Sequence, residues 1–192
     1  QHTYIDGTKI EANANRYTWV WKKSCMKNRQ KVFDKISILI DAMNQKVLGY
    51  LDIKLEKREE YAIGYVSELL AMYKEETGID ENSFVSGCGH RKSIQQKQYQ
   101  ELEGYLKRLK TYVHHIAICG NERNSYSKTD QDATFMRLKR DYMGNDQLLP
   151  AYNLQAAICD EYIAVIDVKP YASDMECFVL LMEKFSRTYG HY

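Results

Sequence analysis

The sequence predicts an α/β fold, a small sheet interrupted after its first strand by a long helical insertion. Three observations carry this. The chain opens on a strand-like run, Thr3-Tyr4-Ile5. Its two prolines, Pro150 and Pro170, both fall in the last quarter, so nothing before residue 150 is broken by proline. Two apolar, β-favouring runs, Tyr152 to Cys159 and Tyr162 to Val168, are separated only by Asp160-Glu161, which reads as a hairpin.

The opening strand has no lead-in segment before it, and Gln1 stands where a start methionine would, the pattern of a piece cut from a longer chain. From about Lys27 to Lys54, Val32, Phe33, Ile36, Leu39, Ile40, Met43, Val47, Leu48 and Leu51 recur at three- and four-residue steps, which predicts an amphipathic helix. Residues 58 to 76 repeat the pattern through Tyr61, Tyr65, Leu69, Met72 and Tyr73, and Gly78 stands where a helix end favours glycine. After a polar connector, Ser93 is placed to cap a third helix running through Leu102, Leu109 and Ile116 to Gly120. These segments read as a helical hairpin or small bundle, with tyrosines in its seam.

Asn124 to Ser127 reads as a loop. Thr129 followed by Asp132 resembles a capping box and predicts a short helix through Phe135, Met136 and Leu138. After the hairpin, Pro170 stops the strand, Ser173 or Asp174 caps, and Met175, Phe178, Val179, Leu181, Met182 and Phe185 give a last amphipathic helix. The expected organisation is a first strand and loop at 1–21, a helical insertion at 22–120, and a short helix, hairpin and helix at 121–192.

With 192 residues, 44% apolar and 28% charged, the chain can bury a core and does not have the composition of a disordered one. No stretch approaches the roughly 18 consecutive apolar residues of a membrane span, and no secretion signal opens the chain, so a cytoplasmic location without a membrane partner is expected. The five cysteines, at 25, 88, 119, 159 and 177, are scattered and odd in number, which argues for reduced, packed thiols. Cys88-Gly89-His90 reads as a polar turn, because no second pair of ligands accompanies it.

A net charge of +1 excludes a uniformly basic nucleic-acid binder, yet the charge is clustered. Residues 22 to 35 hold Lys22, Lys23, Lys27, Arg29, Lys31 and Lys35 against Asp34, and a second run is Arg137-Leu138-Lys139-Arg140. Either run suits a phosphate backbone or a solvated helix face. The other conspicuous residue is Asp6, an acid in a strand-like run followed by Gly7-Thr8. It reads either as part of a turn or as a carboxylate on a rigid strand, the oxygen donor a magnesium site uses.

Asp6-Gly7-Thr8-Lys9-Ile10-Glu11-Ala12-Asn13-Ala14-Asn15, running on into Tyr17-Thr18-Trp19-Val20-Trp21-Lys22-Lys23, resembles the first catalytic block of bacterial insertion-sequence transposases of the DDE type. A second block, Arg123 to Arg137, agrees in order and distance, and a third is Tyr152-Asn153-Leu154-Gln155, preceded by Gln147 to Pro150. Gln131 stands where the family usually has proline, and Leu149-Pro150-Ala151-Tyr152 replaces the usual Lys-Pro-Gly-Tyr.

The resemblance implies a partial RNase H-like fold and an enzyme that cuts and joins DNA during transposition. Three acids would hold two divalent ions, Mg²⁺ or Mn²⁺, roughly 3.5–4 Å apart, for in-line attack on phosphodiesters. Asp6 maps onto the first acid, as catalytic residue and metal ligand. The second and third are expected beyond Tyr192, so the isolated chain is expected to be inactive. Asp174 matches a helix start, and Asp167 matches no catalytic block. The implied partners are DNA, both transposon ends and target, and a second copy in a homodimer of the full-length enzyme. Lys22, Lys23, Lys27, Arg29, Arg123, Lys128, Arg137 and Lys139 are the expected DNA contacts. The alternative is a non-catalytic helical module, binding DNA or protein, from a degenerate mobile element.

Overall fold

The computed structural model describes residues 2–87, 89–139, 144 and 146–190. The chain is mixed α/β, with antiparallel sheets and four α-helices among these residues. It divides into two compact units, one formed by Gln1–Ser24 with Ile116–Tyr192 and one by Cys25–His115. No helix among the described residues is long and apolar enough to cross a membrane.

The Cys25–His115 unit is helical. It holds most of α1 (Lys22–Lys46), all of α2 (Ile63–Thr77) and most of α3 (Ile94–Cys119). The three- and four-residue periodicity buries one stripe of each helix, with Ile36, Ile40 and Met43 packed together with Val66, Leu69, Tyr73, Leu102 and Leu109 in one core. A buried tyrosine needs a partner for its hydroxyl. Tyr73 donates to Gln98 Oε1 at 2.6 Å inside that core. Gly78 ends α2 in the left-handed conformation, φ 62°, and Ser93 Oγ accepts from the Gln96 amide at 3.1 Å to open α3.

The first helix is displaced from its expected range. It begins at Lys22 rather than Lys27 and ends at Lys46, with a 3-10 turn at Leu48–Leu51. The side chain of Asn44 causes the early exit. Its amide donates to the Leu55 carbonyl and its Oδ1 accepts from the Leu55 amide, both at 2.9 Å, which pins the returning chain against the helix end.

The other unit is built on β5 (Leu148–Cys159). Along one edge lies β1 (Thr3–Glu11), from Thr3 opposite Cys159 to Glu11 opposite Ala151. Along the other lie β4 (Thr134–Arg137), opposite residues 148–151, and β6 (Tyr162–Lys169), opposite 153–159. The β5–β6 hairpin turns on Asp160-Glu161, with Asp160 at φ 54°, the left-handed conformation a two-residue turn demands. A separate ladder pairs β2 (Trp19–Trp21) with β3 (Ser125–Ser127). Finally α4 (Asp174–Tyr189) lays Leu181 and Phe185 on Ala157 and Val165.

The expected short helix at 129–138 does not form, and β4 stands there instead. Asp130 Oδ1 accepts from the amides of Asp132 at 3.2 Å and Ala133 at 3.3 Å, closing a turn where a capping box was expected. Thr134-Phe135-Met136 are then free to pair, and β5, beginning four residues before Tyr152, supplies the partner. Pro150 is tolerated inside β5 because the β1 ladder has ended one residue earlier, at Ala151. The Pro150 carbonyl, on the side where its missing amide would point, accepts from Ala12 N at 2.8 Å.

Candidate active site

Side chains alternate across a strand, and paired residues share a face, so the register decides what Asp6 can meet. Asp6 lies opposite Ala156, which in turn lies opposite Ile166. Gly7 lies opposite Gln155, which lies opposite Asp167. The Gly7–Gln155–Asp167 row is on the face that α4 covers, as the burial of Ala157 and Val165 against Leu181 shows. Asp6 therefore points from the opposite face, where Tyr4, Ile10, Ile166 and Val168 are also exposed.

Its carboxylate is 87% exposed. Oδ1 accepts the Gly7 amide at 2.8 Å and stands 3.8 Å from Lys139 Nζ, which also donates to the Gly7 carbonyl at 2.5 Å. The structure thus brings together Asp6 of the first sequence block and Lys139, two residues past the end of the second. An ion pair this exposed contributes little to stability. Asp6 Oδ2 makes no hydrogen bond among the described residues.

The other acids of the sheet are elsewhere. Asp167 is buried against α4 and neutralised by Lys169 at 3.4 Å and Lys184 at 3.7 Å. Asp174, in the first turn of α4, accepts from Asn153 Nδ2 at 2.7 Å, while Gln155 Nε2 donates to Asn153 Oδ1 at 2.9 Å. This network lies on the α4 face and excludes a triad of Asp6, Asp167 and Asp174 around one ion. Among the described residues no group of three or more His, Cys, Asp or Glu side chains converges as a metal site. Asp6 is one oxygen donor, and the described residues do not complete a divalent-ion site around it.

The remaining sequence candidates separate by what their side chains do. Arg123 donates to the carbonyls of Gln131 at 2.7 Å, Asp132 at 3.2 Å and Ile118, and Lys22 donates to the Gly120 carbonyl at 2.5 Å. Both cations cap the end of α3. Arg137 pairs with Asp146, and Arg29 lies 5.8 Å from the centre of the Phe33 ring. Lys23, Lys27 and Lys128 are exposed and make no ion pair among the described residues. Arg140 and Cys88 lie outside the described residues. Cys25, Cys119 and Cys177 are buried. Burial, followed by Asp174, pushes the Cys177 thiol up to about 11, so it stays protonated.

Sequence reasoning missed two arrangements. One is the Asn153–Gln155–Asp174 network, whose signal was a pair of polar residues two apart, hence on one face, in an otherwise apolar strand. The other is Tyr152, which donates its hydroxyl to the Asp130 carboxylate, 2.9 Å from both oxygens, and ties the 128–133 turn to β5. No signal in the sequence joined those two residues. No family model, no curated protein and no solved structure matches this chain.

Proposed function

We propose that this chain is the amino-terminal part of the catalytic region of a DDE transposase, an enzyme that cuts and joins DNA during movement of an insertion sequence. Asp6 is its first catalytic carboxylate. The observation that carries the reading is the placement of Asp6: an acid in the middle of a nine-residue strand, 87% exposed, with no packing role in the fold. A turn residue has no reason to sit there, whereas an oxygen donor for Mg²⁺ or Mn²⁺ needs a rigid support and open space for phosphate oxygens. The order strand, helical insertion, hairpin, helix supports an RNase H-like core, as the resemblance implies. Asp6 gives one ligand, and the second and third acids are proposed to follow α4 in the complete enzyme, which acts on DNA in the cytoplasm. The experiment is a calorimetric Mn²⁺ titration in the presence of duplex DNA, with the Asp6→Ala variant as control. The reading expects weak binding that the substitution reduces further; weak binding that the substitution leaves unchanged sinks the assignment.

A further inference from the structure

Outside the sheet, the strongest charge asymmetry lies on α1. Residues 22 to 35 carry six basic side chains and one acid, in a chain whose net charge is +1. Three lysines of the helical unit are held in ion pairs, whereas three spaced four apart on α1 are not. Lys57, Lys74 and Lys107 are paired with Asp41, Glu81 and Glu103 at 3.0, 2.5 and 2.8 Å. Lys27, Lys31 and Lys35 are exposed and make no ion pair among the described residues. Successive steps of four residues place these three on one side of α1, opposite Val32, Ile36 and Met43, which are buried in the core. Asp34 flanks the row without neutralising it.

We propose that the Lys27–Lys31–Lys35 row is a DNA-docking surface that follows the phosphates of a duplex. This rests on the reading above for the choice of DNA, and adds a surface remote in sequence from Asp6. A helix rises about 1.5 Å per residue, so the lysines stand about 6 Å apart along its axis, against about 3.4 Å of rise per phosphate on one DNA strand. The row is therefore about 12 Å long, enough to lie along several phosphates of a duplex. A membrane surface fits worse, because an interfacial helix lies on its apolar face and that face of α1 is already buried in the core. Arg29 and Lys22 are not part of the row, since one stacks on Phe33 and the other caps α3.

The test is duplex DNA binding by fluorescence anisotropy across a salt series. It compares the whole chain with a Lys27→Ala, Lys31→Ala, Lys35→Ala variant and with a control Lys57→Ala, Lys74→Ala, Lys107→Ala variant that loses the same charge. Each neutralised phosphate contributes about 0.9 to the slope of log affinity against log salt, so the row variant is expected to lose about 2 to 3 from that slope. Its affinity should fall about ten- to a hundredfold at low salt, while the control stays close to wild type. An unchanged slope in the row variant, or an equal loss in both, overturns the proposal and leaves the assignment of Asp6 standing. Preference of the wild type for anionic vesicles over DNA overturns it as well. No duplex binding by the wild type overturns the row and also removes DNA from the functional reading. Circular dichroism of each variant checks that α1 is intact, as alanine favours helix.

Discussion

The amide of Gln155 occupies the space in which a side chain on Gly7 would begin: 2.1 Å separates its nitrogen from the position of a Cβ at Gly7. Gly7 is therefore a strand residue whose missing side chain admits a buried, hydrogen-bonded glutamine. The far end of a glutamine is normally free to move, but this one is held by Asn153 at 2.9 Å and approaches Asp174 at 3.4 Å. Gly7→Ala must displace it and leave polar groups unpaired, at a cost of about 1–3 kcal/mol in urea unfolding. Because Gln155→Ala removes the obstructing amide, the double variant should be less damaged than the two single losses added together. Additive losses would count against the arrangement.

Tyr152 gives a prediction about alkaline pH. Its hydroxyl is pushed up to about 12, first by burial and then by donating to Asp130. Tyr73 is raised to about 12 by burial, and Tyr99 and Tyr105 to about 12 by burial and then by Glu81 and Glu101. Each folded value lies above the unfolded value of about 10, so the fold favours the neutral phenols. That contribution is complete below about pH 10 and is lost as pH rises from about 10 to 12. Urea midpoints should fall across this window, and the phenolate absorbance of the buried tyrosines should appear only as the chain unfolds. Tyr152→Phe should cost about 1–2 kcal/mol at neutral pH and make the alkaline loss shallower.

Arg123 is expected to be a stability residue. Three carbonyls, from Ile118, Gln131 and Asp132, accept from its guanidinium, a geometry that a lysine cannot reproduce. Arg123→Lys should therefore lower stability by about 1–3 kcal/mol. The salt dependence of DNA binding should stay unchanged. A stable Arg123→Lys variant with a shallower salt slope would reverse that assignment and return Arg123 to the DNA contacts.

Where local chemistry determined the outcome, the sequence was legible. Gly78 and Gly120 end their helices with φ near 60°, Ser93 opens α3, and Asp160-Glu161 turns the hairpin, all through interactions within a few residues. The failures came from distant partners. Thr134 to Arg137 form a strand because β5 is available to pair, and Asn44 shortens α1 because Leu55 returns to it. The same limit applied at the site. Asp6 stood out as an acid in a strand, but its separation from Asp167 by the thickness of the sheet follows only from the register through Ala156 and Gln155.

Mn²⁺-induced broadening of backbone amide signals distinguishes a metal-ligating Asp6 carboxylate from a structural one. Broadening should centre on Asp6 and its strand neighbours Ile5 and Gly7, and disappear in Asp6→Asn, with the unfolding free energy changed by no more than about 0.5 kcal/mol. Broadening that survives in Asp6→Asn, or that centres on another acidic surface, would show that Asp6 is not a metal ligand.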